Sequence, residues 1–219
     1  MVKKADIPDH VITSALRLAG EEGWDAVTLP RLADVAGVPL IEVHGVTPNR
    51  QAVLDGIGRL VDEAVLAEGA ADADEKARDR LFEVIMRRFD FLQDHRPGVI
   101  AIADGLRREP LWALCQGPAF ERSMRLMLDV ARLPARGPFG PAKVRVLGLI
   151  YLDIFRTWRA DDSDDMAKTM KALDKRLEQA EQLANTFEGG RPLWRSRRSQ
   201  KSHEGEVSAD SDEGAEANS

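Results

Sequence analysis

Apolar residues recur along this chain at intervals of three and four, and no stretch shows the strict alternation of a strand. Val11, Ile12, Ala15, Leu16 and Ala19 predict a helix from His10 to about Glu22. Gly23 stops it, and Trp24 is placed to plug a small helical core. The most informative stretch follows, Thr28 to Arg50. Thr28 is an N-cap with Pro30 in the first turn, where a missing N–H costs little. Leu32, Ala33, Val35 and Ala36 form a buried stripe, and Gly37 supplies the left-handed residue that ends the helix. After Val38-Pro39, a second stripe of Leu40, Ile41 and Val43 runs to Gly45. Thr47-Pro48 then caps a third helix opening at Asn49. Helix, glycine turn and short helix make a helix-turn-helix pattern.

The helix from Asn49 to about Leu66 keeps its period through Ala52, Val53, Ile57, Leu60, Val61 and Ala64. Gly56 and Gly58 are a fragment of a dinucleotide fingerprint with no strand before them and no third glycine, so close helix packing is the preferred reading. A loop over 69–74 leads to a helix ending at Asp94, apolar on more than one face and therefore enclosed by neighbours. His95-Arg96-Pro97-Gly98 reads as its terminator, 99–103 as a short apolar helix, and 111–130 as a helix bent near Gly117-Pro118. Pro134 to Pro141 is a loop, and 142–159 is apolar on most sides.

Asp161, Asp162, Ser163, Asp164 and Asp165 come next. Such a cluster suits a metal or acid/base site, but it precedes a helix, where carboxylates satisfy free N–H groups and the helix dipole; capping is the reading adopted. In the last helix Met166, Met170, Leu173, Leu177, Ala180, Ala184 and Phe187 recur at alternating four and three. That heptad seam can pack lengthwise, either across a dimer axis or within the subunit. From 188 to 219 glycine, serine, arginine and then acid predict disorder. There Trp194 stands among Arg191, Arg195, Arg197, Arg198 and Lys201, as a solubilising tail or a phosphate- or membrane-touching segment.

Composition narrows the function. The 219 residues are 43% hydrophobic, enough for a core, without the ~20-residue apolar run of an integral membrane segment. The start, Met1-Val2-Lys3-Lys4-Ala5-Asp6, has no leader pattern, and the single cysteine, Cys115, fits a reducing cytoplasm. His10, His44, His95 and His203 lack second ligands at helical spacing, and no nucleophile elbow or phosphate loop occurs. Neither a catalytic residue, a metal site nor a cofactor is expected, and the chain does not read as an enzyme. Net charge is −6, and residues 1–50 hold five basic against seven acidic side chains, net −2. A nucleic-acid contact would therefore have to be local.

The residues from 10 to about 60 resemble the DNA-binding end of the TetR family of dimeric, ligand-responsive repressors. The likeness rests on Ala15, Leu16, Ala19 and Glu22-Gly23-Trp24, on the two-helix stretch, and on Pro48 to Leu54. It implies an all-α fold: a helix-turn-helix head over 1–48, a helical ligand-binding and dimerisation body over 49–187, and the tail. Double-stranded DNA would be contacted by Thr28, Pro39, Leu40, Glu42, His44 and Arg50, with Lys3 and Lys4 from the arm. The sequence departs from the pattern at Leu40, Ile41 and Glu42, where a basic residue, a glycine and a threonine are usual. It departs again at His44, in place of a tyrosine, and at Thr47, in place of a phenylalanine. An apolar or amphipathic small molecule or lipid would lie among Ile85, Phe89, Trp112, Phe120, Met124, Tyr151 and Phe155. The heptad seam from Met166 to Phe187 would form a four-helix bundle between subunits of a homodimer.

A second, shorter resemblance runs through Trp158-Arg159-Ala160-Asp161-Asp162-Ser163-Asp164-Asp165, Thr169, Leu173-Asp174 and Arg176. These are similar to the C-terminal signature of a TetR-like accessory family of ubiquinone biosynthesis, which binds lipid and has lost DNA recognition.

Overall fold

The computed structural model describes residues 6–109 and 116–187, the side chains of 185–187 aside. Among these the chain is all-α, with no strand. Nine α-helices follow in order: α1 (Ile7–Glu22), α2 (Leu29–Ala36), α3 (Leu40–Val46), α4 (Arg50–Ala67), α5 (Ala77–Asp94), α6 (Arg96–Arg108), α7 (Gly117–Val130), α8 (Gly140–Arg159) and α9 (Ala167–Phe187), with a 3₁₀ turn at Trp24–Ala26. None of the described helices is long and apolar enough to cross a membrane.

Several boundaries differ from the sequence reading, for local reasons. Pro97 does not terminate α5 but occupies the first turn of α6, which then runs to Arg108. Proline is tolerated there because first-turn N–H groups have no helical partner. Pro8 plays the same part in α1, so that helix starts at Ile7 and not at His10. The cap of α4 is Asn49, whose Oδ1 accepts the Ala52 N–H at 2.9 Å. Thr47, expected in that role, is buried and donates to the Val43 carbonyl. Gly37 does take the left-handed conformation, φ 63°, and closes α2.

The head has no core of its own. α1 is buried on several sides because it packs on α2 and α4 and also along α6. The α1–α6 crossing depends on Gly98, where a Cβ would overlap the Leu16 carbonyl. Trp24 is 2% exposed, with its ring against Gly105 of α6, so it joins head to body instead of plugging the head alone. In the body, α5 is central and touches α4, α6, α7 and α9.

The heptad seam is consumed inside the subunit. Met166, Leu173, Leu177 and Ala184 are buried where α9 lies on α8 and α5, and Met170 and Ala180 are half-buried. The four buried residues are thus taken up by contacts within the subunit; the side chain of Phe187 lies outside the described residues. Among the apolar side chains left outward in the body are Val146, Leu149 and Leu152 of α8 and Leu183 of α9, with Leu66 of α4 and Phe139 before α8.

Candidate DNA-facing surface and ligand cleft

On α3 a single side chain is buried, Val43, while Leu40, Ile41, Glu42 and His44 are exposed. Leu40 and Ile41 thus do not extend a buried stripe; they stand on the outer face, Ile41 at 77% exposure. Thr28 and Pro39 are exposed as well. The position of α3 is fixed through α2, whose last carbonyls are satisfied from α1. His10 Nε2 lies 2.9 Å from the Ala36 carbonyl, and Arg17 donates to that of Val35 at 3.0 Å.

The described arginines of the head are already engaged. Arg31 pairs with Glu22, and Arg17 with the α2 terminus. Arg50, expected at a phosphate, turns inward instead. Its guanidinium lies 4.5 Å from the Trp24 ring centroid, donates to the Trp24 carbonyl at 3.0 Å and pairs with Asp25. An arginine stacked on an aromatic and bonded to a carbonyl is a brace. Lys3 and Lys4 lie outside the described residues.

The expected ligand residues divide in two. Ile85, Phe89 and Met124 are wholly buried, and Phe89, Tyr151 and Phe155 stack in series at centroid distances of 5.4 and 6.4 Å. They fill the core rather than line a cavity. Phe120 lies 5.7 Å from Tyr151 and reaches the surface of a cleft between α4 and α7. Trp112 lies outside the described residues. The cleft measures about 540 Å³, within the range that holds small ligands. A crevice between α5, α8 and α9 near Leu177 has room for about 20 Å³, one water molecule.

At the floor of the cleft is a polar cluster that the sequence reading missed. Asp62 Oδ1 accepts from Arg88 Nη1 at 2.8 Å and from the Ser123 hydroxyl, while Arg88 Nε donates to the Tyr151 hydroxyl at 3.0 Å. Burial works against the charge on Arg88, but the Tyr151 hydroxyl and the Asp62 carboxylate outweigh it and raise its pKa. The signal was legible: Arg88 follows Val84 by four residues and precedes Leu92 by four, a polar residue inside the apolar stripe of α5. At the head end of α4, Gln51 and Gln116, the N-cap residue of α7, exchange amide hydrogen bonds, so α4 spans from head to cleft.

The acidic run before α9 does cap. Asp161 Oδ2 accepts both the N–H and the hydroxyl of Thr169, and Oδ1 accepts the N–H and hydroxyl of Ser163. Burial pushes its carboxyl up, but these four donors together hold it far below the usual carboxylate range. Trp158 is buried, donates to Gln93 and carries Arg96 over its ring. Arg96 in turn caps the Trp158 and Arg159 carbonyls. Each of these residues of the second resemblance has a part in joining or ending helices.

No family profile matches the chain, and no curated protein does. Solved structures do. One is a TetR transcriptional regulator from Nitrosomonas europaea ATCC 19718, with TM-score 0.67, 23% identity, and coverage of 79% of this chain and 97% of that one. Another is a TetR transcriptional regulator from Rhodococcus sp. RHA1, with TM-score 0.60, 14% identity, and coverage of 81% and 97%. A putative transcriptional regulator from Streptomyces coelicolor A3(2) matches at TM-score 0.52 and 21% identity, over 78% and 98%. This chain has the fold of the TetR regulators. At these identities the likeness is one of fold.

Proposed function

We propose that the protein is a TetR-like transcriptional regulator, a homodimer that binds DNA through α3 and is controlled by a small molecule in the α4–α7 cleft. The observation that carries this reading is α3 itself, which buries Val43 and leaves Leu40, Ile41, Glu42 and His44 free on a rigidly supported helix. A major groove accepts such a helix, and apolar side chains there meet thymine methyls. A ligand between α4 and α7 would displace α4, and with it the spacing of two heads on half-sites. The subunits would meet through Val146, Leu149 and Leu152 of α8, with Leu183 of α9 beside them.

The engaged arginines limit phosphate contacts, so salt-dependent affinity would fall to Lys3, Lys4 and backbone N–H groups. The test is retention of genomic DNA fragments by the purified full chain at low and moderate salt. Specific fragments should be retained, and Lys3→Ala with Lys4→Ala should reduce the salt slope by about two. No retention at low salt, from a folded dimer, would sink the regulator. The exposed Leu40 and Ile41 would then favour the second reading, a lipid-binding accessory protein without DNA recognition.

A further inference from the structure

Gly56 and Gly58 lie two residues apart on α4, facing different ways, and have no common cause. At Gly56 a Cβ would overlap the Ile12 side chain, so close packing of α4 on α1 requires glycine. At Gly58 a Cβ would meet nothing within 4 Å. A glycine in a helix interior costs up to about 1 kcal/mol relative to alanine, and packing does not account for this one. What it borders is the α4–α7 cleft. Four residues on, and so on the same face of α4, comes Asp62.

Asp62 has one oxygen spent and one left. Oδ1 takes Arg88 and Ser123, while among the described residues none donates to Oδ2. The side chain is 29% exposed in the cleft, against 10% for Arg88 behind it. The cleft therefore presents a carboxylate oxygen fixed in position, with its orientation held from the rear. Its walls add Asp55, which accepts from Gln51, and the pair of Arg59 with Glu63, with Asp9 also on Arg59; Arg122 stands at the rim. Leu54, Leu66 and Phe120 supply apolar surface around the opening left by Gly58.

We propose that this cleft takes a small amphipathic amine, its protonated nitrogen donating to Asp62 Oδ2 and its apolar part lying over Gly58 against Leu54 and Phe120. The inference rests on the reading of the cleft as the ligand site and names the class of ligand. A charged N–H on a carboxylate is among the stronger hydrogen bonds, and Oδ2 is the acceptor that a ligand could use without breaking the Arg88–Ser123–Asp62 cluster. A carboxylate ligand would meet Asp62 as a like charge and would be left with the rim residue Arg122.

The test uses the full-length protein and two matched pairs of probes, tryptamine against indole-3-propionate and octylamine against nonanoate, read by calorimetry and by the shift in unfolding temperature. Both amines should bind and stabilise, and both acids should fail. Asp62→Asn should weaken the amines about tenfold and remove their advantage over the acids. Because that change also takes a charge from Arg88, Gly58→Leu provides an independent arm: its side chain enters open space, the helix is retained, and amine binding should be lost. Acids that bind as well as amines, amines unaffected by both variants, or no binding by any probe would each overturn the proposal. DNA retention by the same samples reads the regulator separately, so a regulator with a different ligand is distinguishable from no regulator.

Discussion

At Asp161 four donors converge on a carboxylate that is 2% exposed. Met166, the residue before α9, has φ 53° and no side-chain oxygen, so the Thr169 N–H is satisfied from five residues further back. Because the folded pKa lies below the unfolded one, Asp161 contributes stability that is fully present above the ordinary carboxylate value near pH 4 and fades as pH falls below it. Asp161→Asn should therefore lower stability by about 2 kcal/mol at pH 7. In denaturant titrations the gap between variant and parent should stay level down to about pH 4.5 and close below that. A gap independent of pH throughout would assign the effect to packing alone. Single residues also explain where the sequence misled. Arg50 looks like a surface charge in one dimension, yet Trp24, some 26 positions away in sequence, makes it a half-buried brace, and the Tyr151 partner of Arg88 is 63 positions away.

Among the elements, the contact of α1 with α6 decides how the head is held. Their backbones approach through Gly98, and the Leu16 carbonyl occupies the place of a side chain. Gly98→Ala must separate the two helices or distort one of them. The expected loss is about 1–3 kcal/mol, seen as a lower unfolding midpoint with an unchanged helical spectrum. A neutral result would mean that α6 can slide, and that the head is less firmly tied to the body than this crossing implies. The helices themselves were legible because each announces its face within one or two turns: Leu32 and Ala36 in α2, Leu173 and Leu177 in α9. Proline was ambiguous for a physical reason. Pro97 after a helix reads as a stop, but it equally suits the first turn of the next helix, and which applies depends on whether α6 finds α1 to pack on.

For the molecule as a whole, the surface that the fold does not use is what a partner can meet. With the seam of α9 packed at home, the outward Val146, Leu149 and Leu152 of α8 form an apolar row that a second copy could cover. Leu149 is 70% exposed and central to that row, so Leu149→Glu should leave the subunit folded and move sedimentation from dimer to monomer. A dimer that survives this change would place the interface elsewhere. If the heads act as a pair, the monomer should also lose retention of specific DNA fragments.

The sequence by itself determined that the chain is helical, where most helices lie, that Gly37 turns α2 into α3, and that the acidic run caps α9. Those properties depend on residues within a few positions of each other, so spacing alone records them. It also carried the likeness to the TetR fold, because the head is a short, continuous stretch. Only the tertiary structure decided which arginines are free, which face of α8 and α9 stays outside, and that Phe89 and Tyr151 fill a core while Asp62 and Gly58 shape a cleft. Each of these is set by what another helix brings alongside, and a side chain's pattern on its own helix is the same whether it meets a neighbour, a ligand or water.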